Sequence, residues 1–334
     1  MSHYVGFEET PPFCPPEELS FDNIPTYLFR LHAPLTFGKP TTTEVASPAC
    51  RLAKGMTGDL FQYLEGEAAE LLSDHLLWEK SNPLKRNLTS WSSSLLVVLE
   101  YGLYRFNTDH DKPGFDKIYI LMLDTRGFPR GTFIQDLDAI KTIRQYRPGM
   151  KRLEMLYGWR TLDEYFGEYL NQGRLNVDGK CSQTSMKQLI DGGLFQLCPA
   201  LKREGRRNAW ARRVMTIRNE FKSPAESTTK ENVRTAIVIA QACFGGRWAL
   251  PLATMLLSLC HRQYDSDAIL EGFYSMFTDD EIRDLNIRDM KFDPEYKRLP
   301  ELRQQREMIR AISRRYTQGS GVDALTEKLG NTYI

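Results

Sequence analysis

The chain reads as an α+β domain followed by an all-helical domain. Three observations lead there. Segments 26–33, 87–92, 117–124 and 168–175 each carry strand-type apolar or alternating sequence within the first 180 residues. Helical periodicity runs between them. From Cys181 onward strand signals vanish, and one helical segment follows another. At 334 residues the chain is long enough for two domains, each with a core of its own. The expected division is an extended lead-in at 1–24, the α+β domain at 25–180 and the helical domain at 181–334.

The elements follow in order. The lead-in is rich in proline, with Pro11-Pro12 and Pro15-Pro16. The strand at 26–33 ends at Pro34, which cannot donate to a ladder. Residues 35–58 read as a polar loop. A helix at 66–79 carries Leu71, Leu72, His75 and Leu76 at helical spacing, and Asn82-Pro83 stops the chain beyond it. The strand at 87–92 turns into a helix at 93–106, with Ser92 or Ser93 as N-cap. The apolar run 117–124 is of central-strand type and Gly127 ends it; helices follow at 133–145 and 150–157. Gly167 punctuates before the strand at 168–175. Helices are then expected at 184–191, 199–221, 230–243, 247–262, 266–276, 278–286, 295–316 and 322–329. Segment 237–260 is long and apolar enough to invite a membrane reading. Gly245, Gly246 and Arg247 at its centre argue for two buried helices instead.

Composition narrows the function. Forty-four basic and 43 acidic side chains nearly cancel, so net charge offers no argument for a nucleic-acid partner. The basic run from Lys202 to Arg213 and the arginines at 310–315 read first as solvated helix faces. None of the six cysteines forms a C-x-x-C pair and no histidine cluster joins them, so no metal is expected. The N-terminus lacks a basic start and an apolar run; the expected location is cytoplasmic or nuclear. Glycine-rich phosphate loops, H-E-x-x-H and G-x-S-x-G are absent from the sequence.

Three strands place polar residues where apolar ones are expected. Arg30 sits among Leu28, Phe29 and Leu31, with His32 on the same face. Its planar fork suits phosphate oxygens, and a solvent-facing arginine is the plainer alternative. Ser90 and Ser92 share one face of their strand while Trp91 points the other way, into the core. The two hydroxyls suit a ribose and a carboxamide; capping explains Ser92 equally and Ser90 less well. Glu168 opens a strand just after a glycine. A carboxylate there can stabilise the cation that forms as a glycosidic bond breaks, or can be an ordinary surface glutamate. Glu164 competes for that role from a helical turn. An arginine, two serines and a glutamate, in that order, are what a site needs to hold a dinucleotide and cleave its glycosidic bond.

Phe29-Arg30, the strand-to-helix run Ser90-Trp91-Ser92-Ser93-Ser94 and Glu168 together resemble the ADP-ribosyltransferase superfamily, in its arginine, serine-x-serine, glutamate branch. The same spans, with Phe244-Gly245-Gly246-Arg247-Trp248 in the helical part, look like an uncharacterised fungal domain family. The resemblance implies a split-sheet domain over 25–180 that takes NAD+ as substrate. It implies Glu168 and Arg30 as catalytic residues, with Arg30, His32, Ser90 and Ser92 holding the dinucleotide. Cleavage of the nicotinamide–ribose bond would pass ADP-ribose to an unknown protein or small-molecule acceptor, or to water. Two departures stand out: Trp91 replaces the usual threonine, and Phe166 stands two places before Glu168 where an acidic residue or glutamine goes with arginine acceptors. They argue against arginine modification and leave open an inactive interaction module that keeps the fold.

Overall fold

A computed structural model describes residues 12–16, 19–34, 41–52, 55–79, 82–108, 112–162, 164–202, 210–284 and 289–314. The chain is mixed α and β, and contacts divide it into two compact units, 1–183 and 184–334.

The first unit is built on β1 (Tyr27–His32), β2 (Glu44–Ala46), β3 (Leu88–Ser92), β4 (Tyr119–Asp124), β5 (Ile134–Gln135), β6 (Glu168–Gln172) and β7 (Arg174–Asn176). Its helices are α1 (Glu65–Leu76), α2 (Leu95–Thr108), α3 (Asp136–Tyr146) and α4 (Lys151–Thr161). With β8 (Cys181–Ser185) the main sheet runs β5-β6-β3-β1-β4-β8, while β2 and β7 form a separate ribbon.

The ladders are uneven. β1 pairs with β4 at six positions and β3 with β6 at five, all antiparallel. β1 and β3, although adjacent, register through the single pair Phe29–Ser92. Past that pair their facing backbone groups need partners other than each other. Alternation sends the two faces of the sheet to different cores. Leu88 and Leu170 pack with Leu72, Ile140 and Leu153 of the helices. Leu28, Trp91, Leu121 and Tyr169 form the other cluster with Phe133. Trp91 is buried there, as its place on β3 predicts, and donates its indole N–H to Asn171 Oδ1 at 2.7 Å. The lead-in takes part as well: Phe13 is buried edge-on to Phe61, its N–H bonded to the Gly131 carbonyl.

Several expectations need correction. The loop expected at 35–58 contains β2, paired with β7 through Val45–Leu175. The strand expected at 168–175 is two strands in two sheets. Gly173, at φ 68°, turns the chain between them, a conformation in which a Cβ is disfavoured. Strand structure also continues past residue 180, because β8 extends the main sheet at its edge. Its sequence, Cys-Ser-Gln-Thr-Ser, carries no apolar alternation to announce it. The helix expected from 133 begins at Asp136, because Ile134 and Gln135 pair with β6. α2 is capped by Ser94, whose hydroxyl accepts from the Val97 N–H, and neither Ser92 nor Ser93 fills that place.

The second unit contains α5 (Met186–Asp191), α6 (Leu194–Leu197), α7 (Trp210–Glu220), α8 (Lys230–Cys243), α9 (Gly246–Leu257), α10 (Asp267–Met276) and α11 (Asp279–Asp284). α12 covers residues 300–314. Ile237, Leu252, Phe273 and Ile309 are fully buried within it. Segment 237–260 is divided at Gly245, φ 62°, into α8 and α9, as the glycines predict. Among the described residues no helix is long and apolar enough to cross a membrane. Arg218 and Glu301 form a buried ion pair at 2.7 Å. Arg310 pairs with Glu307 one turn before it. The helix expected at 322–329, the arginines at 203, 206 and 207, and Arg315 lie outside the described residues.

Candidate active site

The residues singled out in the sequence stand on three neighbouring strands, β6, β3 and β1. Cross-strand register sets Glu168 opposite Ser92, and Ser92 opposite Phe29. Ser90, Ser92 and Glu168 therefore leave the sheet on one face, while Arg30 and His32 leave β1 on the other. Arg30 is nonetheless joined to β3: its Nη1 donates to the Ser90 carbonyl at 2.6 Å. That carbonyl lies past the one β1–β3 pair, where the ladder has ended. A side-chain donor serves it instead. Burial pushes the Arg30 guanidinium down to about 10, with the nearby Tyr101 phenol working against the fall. Arg30 keeps its charge at neutral pH. His32 is half-buried.

The hydroxyl of Ser90 is shared with α1. His75 Nε2 and Ser90 Oγ lie 2.7 Å apart in a hydrogen bond. Burial, with the positive charges of Arg30 and Arg86, pushes the His75 imidazole down to about 3. The ring is neutral at pH 7, so a hydroxyl can either give it a proton or take its N–H. Arg30, Ser90 and His75 thus form one connected group around a buried positive charge.

Ser92 does different work. Its hydroxyl donates to the Phe166 carbonyl at 2.8 Å and accepts from the Ser94 N–H at 3.0 Å. The Ser93 N–H is bonded to the Gly167 carbonyl. Gly167, at φ 62°, makes the turn that delivers Glu168 into β6. Ser92 and Ser93 therefore hold the turn in front of the glutamate.

Glu168 ends in a charge cluster. Arg160, from the last turn of α4, donates through Nη2 to Glu168 Oε2 at 2.9 Å and through Nε to Asp136 Oδ2 at 2.7 Å. The Arg160 guanidinium lies 5.4 Å from the centre of the Phe166 ring. Arg160 and Asp136 side chains are 8% and 0% exposed, and Glu168 is 14% exposed. One cation stands between two carboxylates. Burial raises Asp136 most, and Glu168 adds to the rise, so the deeper carboxyl is displaced towards neutrality. Among the described residues no hydrogen-bond donor reaches Oε1 of Glu168. Oε2 is held by Arg160, and Oε1 remains able to accept.

Glu164, the competing carboxylate, is exposed; only its backbone carbonyl joins the cluster, accepting from Arg160 Nη1 at 3.3 Å. Phe166 is buried beneath the cluster, and behind it Gln135 Nε2 donates to the Tyr165 hydroxyl at 2.5 Å.

Sequence reasoning assigned no role to His75, Asp136 or Arg160. His75 carried a signal, since it shares the apolar face of α1 with Leu72 and Leu76, where a polar ring needs a partner. Asp136 and Arg160 carried none; each reads as an ordinary helix charge. No family model matches this chain, and neither does any curated protein or solved structure.

Proposed function

We propose that the first unit binds NAD+ and cleaves its nicotinamide–ribose bond, passing ADP-ribose to an acceptor or to water. The observation that carries this reading is the half-satisfied carboxylate of Glu168. Arg160 holds one of its oxygens, the other accepts freely, and Arg30, which leaves the sheet on the opposite face, is joined to the group through the Ser90 carbonyl. A positive charge develops on the ribose as the bond to nicotinamide breaks, and a preorganised carboxylate stabilises it. The planar fork of Arg30 has the spacing that the oxygens of a diphosphate fit. Ser90, polarised by neutral His75, is a donor or acceptor for a ribose hydroxyl. Ser92 acts through the turn it holds and serves as a positioning residue.

The test is nicotinamide release from NAD+ by the purified chain. Glu168→Gln keeps the shape and the Arg160 hydrogen bond. It is expected to lower turnover about 10²–10³-fold with the melting temperature little changed. Equal release by variant and wild type overturns the assignment.

A non-catalytic interaction module on the same fold is the second reading. The Arg160–Glu168 ion pair favours it, because a guanidinium at 2.9 Å offsets the negative charge the reaction draws on. This reading expects no nicotinamide release from wild type.

A further inference from the structure

The last turn of α1 holds a tryptophan in a glycine's place. Leu77 is the C-cap, the Trp78 N–H reaches the His75 carbonyl at 3.2 Å and the Glu79 N–H reaches Asp74 at 2.9 Å. These are the two bonds of a Schellman ending, whose following residue adopts the left-handed region and is usually glycine. Trp78 has φ 56° there. A bulky side chain in that region is an outlier, and such outliers collect at functional positions. Core packing does not account for it, since Trp78 is 53% exposed.

The indole is aimed. Its ring lies 5.2 Å from that of Tyr101 on α2, tilted by 52°. Tyr101 in turn stacks on Tyr104 at 6.2 Å. The Arg105 guanidinium stands 6.0 Å from the Tyr101 ring. Tyr101 is also the residue whose phenol acts on the charge of Arg30. The exposed indole therefore continues an aromatic run through Tyr101 and Tyr104, and it stands three residues along the chain from the histidine bonded to Ser90.

We propose that Trp78, backed by Tyr101, is the stacking surface for a planar base of the bound dinucleotide. The proposal rests on the dinucleotide reading above and adds to it a residue that chooses the substrate. Every nucleobase has a π face, and an aromatic side chain stacks on it without regard to its hydrogen-bonding edge.

Calorimetric titration of the full chain with NAD+ tests this, using Trp78→Gly and Trp78→Phe. Glycine suits φ 56°, so Trp78→Gly is expected to melt at or above the wild-type temperature while binding NAD+ about tenfold more weakly or worse, as loss of one stacked base does. Trp78→Phe retains most of the affinity. Titration with AMP and with nicotinamide mononucleotide shows which base is held: the fragment whose binding suffers in Trp78→Gly is the one that stacks. Wild-type affinity in a folded Trp78→Gly chain overturns the stacking assignment and leaves the dinucleotide reading intact. No NAD+ binding by wild type overturns both.

Discussion

Replacing His75 by glutamine removes a titration that the fold suppresses. An imidazole in the unfolded chain titrates near 6.5, whereas burial beside Arg30 and Arg86 holds His75 near 3. The folded value is depressed, so the stabilisation is complete above the unfolded value and is lost as pH falls from there towards 3. Between pH 8 and pH 5 the two values imply a loss of about 2 kcal/mol. For a unit of this size that corresponds to about 4–8 °C in melting temperature. Glutamine at 75 can keep a hydrogen bond to Ser90 Oγ and cannot take up a proton. The assay is thermal unfolding of both proteins at pH 8 and pH 5. The fall in melting temperature on acidification is expected to be about 4–8 °C smaller in His75→Gln than in wild type. Parallel curves would refute the claim that a buried neutral imidazole sits beside the arginine.

Asp136 carries the opposite sign. Its folded value is raised, so its contribution is present at low pH and is lost as pH rises through neutrality; Asp136→Asn is expected to flatten that decline in a urea series at pH 5–8. Trp91→Ala opens a cavity among Leu28, Tyr169 and Phe133 and strands Asn171; a loss of about 3–5 kcal/mol by chemical denaturation is expected. In the second unit the Cys198 thiol donates to the Leu259 carbonyl at 3.8 Å and the Cys260 thiol to the Leu197 carbonyl at 3.7 Å. Coupling between the two thiols lowers Cys260 and raises Cys198, so mass spectrometry after brief iodoacetamide treatment should find Cys260 alkylated well ahead of Cys198.

Much of the architecture was legible because it rests on local pattern. The apolar run of β4, the helical spacing of α1 and α8 and the glycine break before α9 report burial on known faces, and periodicity encodes that directly. β8 escaped notice because an edge strand of polar residues draws its stability from neighbouring backbone, which leaves no side-chain signature. β5 escaped because two residues are too few to show a period. At the candidate site, the strand placement of Arg30, Ser90, Ser92 and Glu168 could be read from alternation and punctuation. Their partners could not. Ser92 binding the Phe166 carbonyl links residues 74 apart, and Arg30 meeting Ser90 links residues 60 apart.

By itself the sequence determined the mixed α and β character of the first part, the helical character of the second, and the turning of Trp91 away from the serines beside it. Those follow from propensity and from the two-residue repeat of a strand. Tertiary structure alone decided that β1 and β3 meet at one pair, that a neutral histidine stands against Ser90, and that Arg160 holds one oxygen of Glu168 while leaving the other open. Each is a matter of distance between segments far apart in the chain, where long-range packing and desolvation set the outcome and no local pattern records it.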